Sequence, residues 1–184
     1  GDLVLMDYAP DYRYYTSDVT RMWPVNGTFA PWQKELFGYV VKYRDALLKY
    51  IRPGITADEV MDQAKKEMEV VWKNTPFSKE IYRKAAEGAL SFRGHLSHPV
   101  GLTVHDVGNY RKSPLKVGTV FSIDPQLWVP EEKLYVRLED VVVVTETGVE
   151  NFTAWLPASF EGIEKIMREE GIIQTRPATP PGKH

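Results

Sequence analysis

The chain has 184 residues, of which 43% are hydrophobic and 26% are charged, so it is long enough to bury a sizeable core. Its formal net charge of −2 and its sequence pI of about 6.1 give no electrostatic reason to expect nucleic acid or an anionic membrane as a partner. No apolar run approaches membrane-spanning length. The absence of cysteine excludes disulfides, thiolate ligands and a cysteine nucleophile, which leaves histidine, aspartate and glutamate for any metal site.

The first predicted element is a β-hairpin, because the segments LVLMD and YTSDVT are rich in β-branched and aromatic residues. If its turn is centred between Tyr12 and Arg13, antiparallel pairing places Asp7 directly opposite Asp18 on one face. Two like charges this close destabilise a sheet unless a cation lies between them. The hairpin therefore either holds a divalent ion or contains a bulge that breaks the register and leaves both aspartates solvated at strand ends.

Helical periodicity and capping signals predict four helices, at 31–51, 56–73, 78–89 and 157–170. Pro31 and Pro157 suit the first turn of a helix, where a missing N–H costs nothing. Thr56 and Glu59 form a capping box for the second helix. Ser78 is expected to cap the third helix.

Between the third and fourth helices the pattern changes to strands and turns, and it ends in the run VRLEDVVVVTETG, whose β-branched density suits a central buried strand. The predicted fold class is therefore α+β, with antiparallel strands and helices on one side. Residues 1–171 are expected to form one domain. Residues 172–184 are expected to form a loose, Pro-rich tail.

Three of the four histidines lie within the segment GHLSHPVGLTVHDVG. Histidines beside glycines suggest a site on a turn or a short irregular strand, where an imidazole can reach a metal ion or a substrate. A single histidine in such a setting is more often a core residue. His98 and His105, with a Gly-Leu pair between them, are the stronger candidates for a site.

A second predicted hairpin repeats the arrangement of the first. With a turn centred at Glu131 and Glu132, Asp124 lies opposite Glu139. Side-chain alternation puts Arg137 on the face of Glu139, where it can orient the carboxylates, although a surface salt bridge would also explain this pair. Four carboxylates and one imidazole suit Mn²⁺, Co²⁺ or Zn²⁺, and two such ions would activate a water for hydrolysis.

Four blocks carry a more specific signal: LVLMDYAPDYRYYTSDVTRMWPVNGTF, RPGITADEV, SHPVGLTVHDVG and VRLEDVVVVTETGVENFT. Together they resemble the pita-bread metallopeptidases, in the branch that contains Xaa-Pro aminopeptidase (aminopeptidase P) and prolidase. The resemblance implies a pita-bread fold, in which a curved antiparallel sheet is covered by helices. Because the family's catalytic domain begins earlier, it also implies that residues 1–171 are an N-terminally truncated, partial catalytic domain.

The same resemblance implies roles for individual residues. His105 would contact the substrate and the transition-state oxyanion, and Arg137 would orient the ligands from behind the site. Asp124, in the sequence IDPQ, stands where the family has a glutamate that handles a proton. Two divalent ions are implied, with Mn²⁺ expected first and Co²⁺ or Zn²⁺ as alternatives. The five implied metal ligands are Asp7, Asp18, His98, Asp124 and Glu139.

The implied function is hydrolysis of peptide bonds next to proline by metal-bound hydroxide, and the sequence leaves Xaa-Pro aminopeptidase and Xaa-Pro dipeptidase open. Two alternatives are a pita-bread domain that has lost catalysis and acts as a binding or structural module, and the metal-independent creatinase-like branch. The expected partners are a proline-containing peptide substrate, a separate chain or fragment that supplies the missing N-terminal part, and further copies in a homo-oligomer. Neither nucleic acid nor a membrane is expected.

Overall fold

A computed structural model describes residues 1–111 and 113–175. The fold is α+β, as predicted: a β-hairpin is followed by three helices, a group of antiparallel strands and two short helices. The helices are α1 (Pro31–Tyr50), α2 (Ala57–Asn74), α3 (Glu80–Ser91), α4 (Phe160–Ile166) and α5 (Ile172–Thr175), with a 3-10 turn at Pro130–Glu132. The strands are β1 (Leu3–Tyr8), β2 (Asp11–Tyr12), β3 (Tyr15–Thr16), β4 (Val19–Pro24), β5 (Leu96–Pro99), β6 (Val120–Ile123), β7 (Gln126–Val129), β8 (Leu134–Arg137), β9 (Asp140–Val144) and β10 (Val149–Asn151).

The first two helices begin as predicted. Pro31 is the first residue of α1. At the start of α2 the Thr56 hydroxyl accepts a hydrogen bond from the Glu59 N–H at 3.2 Å, and the Glu59 carboxylate accepts one from the Thr56 N–H at 2.8 Å. This reciprocal capping box satisfies two N–H groups that a helix start leaves unpaired.

The predicted starts of the third and fourth helices are wrong. Helix α3 begins at Glu80, after an N-cap at Lys79 that makes no side-chain cap, and the Ser78 N–H donates to the Glu35 carboxylate at 2.9 Å. Helix α4 is shorter than the predicted 157–170, and it begins after Ser159, whose side chain caps it by accepting from the Gly162 N–H. The first four residues of the predicted tail form α5, and 176–184 lie outside the described residues.

The first hairpin forms, but its turn is one residue further along than predicted. Tyr12 pairs with Tyr15, so the turn residues are Arg13 and Tyr14, with φ angles of 51° and 69°. Asp7 consequently pairs with Thr20, and the predicted direct opposition of Asp7 and Asp18 is wrong. Because a shift of the turn by one residue moves the pairing by two, the side chains stay on the same face.

The second hairpin has the predicted register. Gln126 pairs with Arg137 and Ile123 pairs with Asp140, so the residues between them, Asp124 and Glu139, face each other. Strand β9 lies inside a four-stranded sheet of order β10-β9-β6-β5, as the run of valines predicted. An isolated antiparallel bridge between Thr20 and Glu139 joins the two hairpins.

The helices form the platform behind these strands. Helix α1 packs against α2 and β8, and Leu36, Leu47 and Val60 in the helical layer are completely buried. Burying one such side chain is worth roughly 1.5–3 kcal/mol. Among the described residues no helix combines the length and apolar character needed to cross a membrane.

Candidate metal centre

The first hairpin contributes two aspartates in different environments. The Asp7 side chain, on β1, is 47% exposed, whereas the Asp18 side chain, just before β4, is 5% exposed. Asp18 Oδ2 lies 3.2 Å from Nε2 of His98. Burial alone would raise the pKa of Asp18, but its hydrogen bonds and the nearby charges of His98 and Arg137 lower this pKa overall.

His98 is held in an orientation that suits metal binding. It lies on β5, where the pairing with β6 shifts register between Leu96 and Pro99. Its Nδ1 lies 3.1 Å from the Pro99 carbonyl oxygen, and this contact leaves Nε2 to face Asp18 and Glu139. A carbonyl that accepts from one imidazole nitrogen fixes the ring and frees the other nitrogen as a ligand.

His105 stacks on His98, with ring centroids 3.7 Å apart and planes within 14°. The loop that carries His105 is shaped by Asp106, whose carboxylate accepts from the N–H groups of Leu102 and Val107, each at 2.7 Å. A Cβ on Gly101 would lie 2.2 Å from Asp106 Oδ2, so a larger residue at position 101 would displace the carboxylate that shapes this loop. The sequence therefore places a second, exposed imidazole beside the first.

Asp124 and Glu139 are the buried acids of the second hairpin, with 6% and 0% of their surface exposed. Within residues 1–111 and 113–175, neither Asp124 Oδ1 nor Glu139 Oε1 has a hydrogen-bond partner. Burial, followed by the charge of Glu139, raises the pKa of Asp124 to about 8. Burial also raises the pKa of Glu139, against the opposing charge of Arg137. Buried carboxylate oxygens without donors are what a bound cation would satisfy.

Arg137 connects the acids of the two hairpins. Its Nη2 donates to Asp7 Oδ2 at 2.8 Å and to Glu139 Oε2, and its Nε donates to Thr20 Oγ1 at 2.9 Å. Thr20 in turn donates its hydroxyl to Glu139 Oε2 at 2.9 Å. Arg137 thus contacts ligand candidates on both hairpins, in agreement with its predicted position on the face of Glu139.

Thr20 was not among the predicted site residues, because the predicted register put Asp18 in its place. The correct turn position would have found it, since Thr20 is the residue that pairs with Asp7.

The fold gathers most of the predicted ligands. Two groups of residues bring potential ligand atoms together, and within each group these atoms lie within 4.8 Å of one another. The first group is Asp7, Asp18 and Glu139, and the second is Asp18, His98 and His105. Asp124 belongs to neither group, but its backbone register and the charges that act on its pKa put it beside Glu139 and His98. Carboxylate oxygens with imidazole nitrogen suit first-row divalent ions, so the donor set fits the implied metals.

The chain is similar to proteins named Xaa-Pro aminopeptidase or aminopeptidase P. The chain is 36% identical to the Xaa-Pro aminopeptidase of Escherichia coli, over 91% of this chain and 41% of that protein. It is 34% identical to Xaa-Pro aminopeptidase 3 of Rattus norvegicus, over 90% of this chain and 35% of that protein. The structure of Zn-substituted E. coli aminopeptidase P in complex with product matches with a TM-score of 0.73 and 34% identity, over 91% of this chain and 41% of that chain.

These likenesses confirm the predicted pita-bread fold. The chain spans about 40% of the length of the E. coli relative and less of the rat relative. The model of metallopeptidase family M24 matches residues 1–146. On this match, and on its agreement with the relatives, the chain belongs to metallopeptidase family M24.

Proposed function

We propose that this chain carries the metal-binding part of a dinuclear metallopeptidase that hydrolyses peptide bonds next to proline. The observation that carries the proposal is the convergence of carboxylates from two hairpins with the imidazole of His98. Relatives named Xaa-Pro aminopeptidase support the substrate class. Assays on peptides of different length distinguish an aminopeptidase from an Xaa-Pro dipeptidase.

The proposed ligands match two divalent ions in charge and chemistry. Four carboxylates balance the charge of two such ions, and the unpaired oxygens of Asp124 and Glu139 offer donor atoms that no protein group uses among the described residues. When bound, the ions supply an activated water and polarise the scissile carbonyl. Mn²⁺ is the first expectation, with Co²⁺ and Zn²⁺ as alternatives. The proposed ligands are Asp7, Asp18, His98, Asp124 and Glu139.

Protein groups around these ligands have proposed roles of their own. His105, exposed beside His98, is positioned to donate a hydrogen bond to the substrate carbonyl as negative charge develops on it. Asp124, buried beside Glu139, is the carboxylate that we propose to handle the proton during hydrolysis. Arg137 orients Asp7 and Glu139 through charge-assisted hydrogen bonds.

A further polypeptide segment is part of the proposal, because large apolar side chains beside the first hairpin, including Met6 and Trp155, are exposed. An apolar groove of about 570 Å³ runs along β1 and α4 and is lined by residues that include Met6, Trp23 and Ile163. We propose that this groove is covered either by a separate chain or fragment, or by a further copy in a homo-oligomer. Sedimentation of the chain alone, over a range of concentrations, distinguishes self-association from a requirement for another segment.

The test of the proposed function is hydrolysis of Xaa-Pro peptides of increasing length by the chain, stripped of metal and then loaded with Mn²⁺, Co²⁺ or Zn²⁺. We expect metal-dependent cleavage next to proline. Cleavage restricted to dipeptides indicates a dipeptidase, and cleavage that tolerates longer peptides indicates an aminopeptidase. Where activity needs the proposed further segment, metal binding by the chain still reports on the site.

Two glutamate variants of the second hairpin provide a matched comparison. Glu139→Gln removes a proposed ligand, so we expect metal binding and activity to be lost together. Glu132→Gln makes the same chemical change at the other end of the hairpin, where Glu132 contacts Lys79 and Tyr82. It should retain both properties. Unchanged metal binding in Glu139→Gln would contradict the site assignment, and absence of bound metal in the wild type would favour a binding module.

A further inference from the structure

Arg21 lies behind the candidate metal centre and contacts both hairpins. Its Nη1 donates to the main-chain carbonyl oxygen of Thr20 at 3.0 Å and to that of Glu139 at 2.7 Å. Its Nη2 donates to Asp140 Oδ1 at 2.6 Å and to the carbonyl oxygen of Thr153 at 3.2 Å. One guanidinium therefore touches the main chain of both strands that meet at the site.

Asp140 anchors this guanidinium. Its carboxylate is completely buried, and its second oxygen accepts a hydrogen bond from Arg44 of α1 at 3.0 Å. The Thr153 hydroxyl also donates to Oδ1 at 2.6 Å. The two arginine side chains are only 12% and 15% exposed, so water screens these pairs poorly and their geometry is well defined.

The contacts of Arg21 fall on the bridge that joins the hairpins. Thr20 N–H donates to the Glu139 carbonyl oxygen at 3.4 Å, and Glu139 N–H donates to the Thr20 carbonyl oxygen at 3.1 Å. Side chains alternate along a strand, so Arg21 and Asp140 point away from the face that carries Thr20 and Glu139. Arg21 thus binds the same two carbonyl groups from the side opposite the proposed ligands.

We infer that Arg21, anchored by Asp140, is a positioning residue that fixes the crossing of β4 with the second hairpin and so sets the spacing between the ligands of the two hairpins. Arg44 neutralises the same carboxylate, yet it donates no hydrogen bond to the main chain of Thr20 or Glu139 among the described residues. Arg44 therefore serves as the matched control. The consequence for metal affinity rests on the proposed function, whereas the consequence for the bridge does not.

The experiment compares Arg21→Gln with Arg44→Gln in two readouts on the 184-residue chain. The first is amide hydrogen exchange at Thr20 and Glu139 in the metal-free chain, which reports opening of the bridge. We expect exchange to become about tenfold faster or more in Arg21→Gln and to stay close to wild type in Arg44→Gln. The second is Mn²⁺ affinity by titration calorimetry, which should fall roughly 10- to 100-fold in Arg21→Gln alone.

Equal behaviour of the two variants in both readouts would overturn the inference, because the network would then be an ordinary ion pair. If the wild type binds no metal, the proposed function fails while the exchange comparison still decides the role of Arg21. If Arg21→Gln does not fold, Arg21→Lys replaces it. Lysine keeps the charge beside Asp140 but lacks the planar set of donors, so the same changes are expected with smaller size.

Discussion

The two hairpins of the candidate metal centre differ in how completely the oxygens of their acids are satisfied. On the first hairpin, Asp7 is half exposed and contacts Arg137, and Asp18 lies against the imidazole of His98. On the second hairpin, Asp124 and Glu139 are buried, and each keeps an oxygen without a donor among the described residues. Water and protein cations therefore stabilise the charges of the first hairpin. On the second hairpin Arg137 pairs with one oxygen of Glu139, but the unpaired oxygens of Asp124 and Glu139 still lack a donor.

The difference indicates where metal binding contributes to stability. A buried carboxylate without a counter-charge is costly, so it takes up a proton or a cation. In the metal-free chain Asp124 avoids this cost by keeping its proton, as its raised pKa indicates. A bound divalent ion would stabilise the ionised carboxylate instead. Metal should therefore stabilise the chain mainly through the second hairpin.

The largest effect is expected on stabilisation by metal. At a free Mn²⁺ concentration 100 times the dissociation constant, one site raises the free energy of unfolding by about 2.7 kcal/mol. Asp124→Asn should lose most of this stabilisation, because it removes an acid of the buried pair. Urea unfolding with and without Mn²⁺ measures the difference, and equal stabilisation of Asp124→Asn and the wild type would break the comparison.

The next effect is on the pH dependence of the metal-free chain. An unfolded Asp124 has lost its proton well below pH 7, whereas the folded group keeps it up to a pKa of about 8. The folded state therefore binds the extra proton, so stability falls as pH rises, by about 1 kcal/mol between pH 7 and pH 8.5. Urea midpoints across this window measure the slope.

Asp124→Asn is the control for this slope and should reduce it. His95, whose pKa burial lowers to about 4, contributes little in this window, because an unfolded histidine has already lost most of its proton at pH 7. Burial opposes a charge on His98, but its hydrogen bond to Asp18 raises its pKa overall, so His98 adds to the slope in the same direction in both proteins. Saturating metal should also reduce the slope, because the ion takes the place of the proton. A metal-free wild type whose stability rises between pH 7 and pH 8.5 would contradict the assigned environment of Asp124.

A smaller effect is expected at the exposed acid. Asp7→Asn weakens an ion pair with Arg137 in which the aspartate is 47% exposed, and such pairs contribute about 0–1 kcal/mol. The free energy of unfolding of the metal-free chain should change by less than about 1 kcal/mol. A loss of unfolding free energy well above that value would show that the metal-free chain depends on the charge of Asp7.

The smallest effect is expected for Asp124→Glu, which adds one methylene to the buried acid. We expect metal affinity and activity to be retained or improved, because glutamate keeps the carboxylate donor and extends its reach toward an ion held between it and the facing Glu139. Titration calorimetry and the Xaa-Pro assay measure the two properties. Loss of both would indicate that the pocket around position 124 is shaped for the shorter acid.

The register of the second hairpin could be predicted from the sequence, because a turn centred at Glu131 and Glu132 sets which residues pair, and the structure has its turn there. The register of the first hairpin could not, because Arg13 and Tyr14 both adopt positive φ. Turns of this type normally use glycine or asparagine, so the sequence gives no local sign of them. The prediction still identified the correct face, because the error moved the pairing by an even number of residues.

The network behind the site was beyond sequence reasoning for a different reason. Arg21 and Asp140 are 119 residues apart, and neither carries a spacing or motif that links it to the other. Only the crossing of the two hairpins brings them together. Likewise, the hydrogen bond from the Ser78 N–H to the Glu35 carboxylate joins the segment before α3 to α1, 43 residues away in the sequence. Contacts of this kind are tertiary and leave no local pattern.

The most direct test of the central claim is the metal content of the wild-type chain after equilibrium dialysis against Mn²⁺ at a concentration well above the dissociation constant. If carboxylates from both hairpins and His98 form a dinuclear site, the chain retains two ions, and Glu139→Gln retains fewer. Retention of less than one ion by the wild type, or the same content in the wild type and Glu139→Gln, would contradict the account.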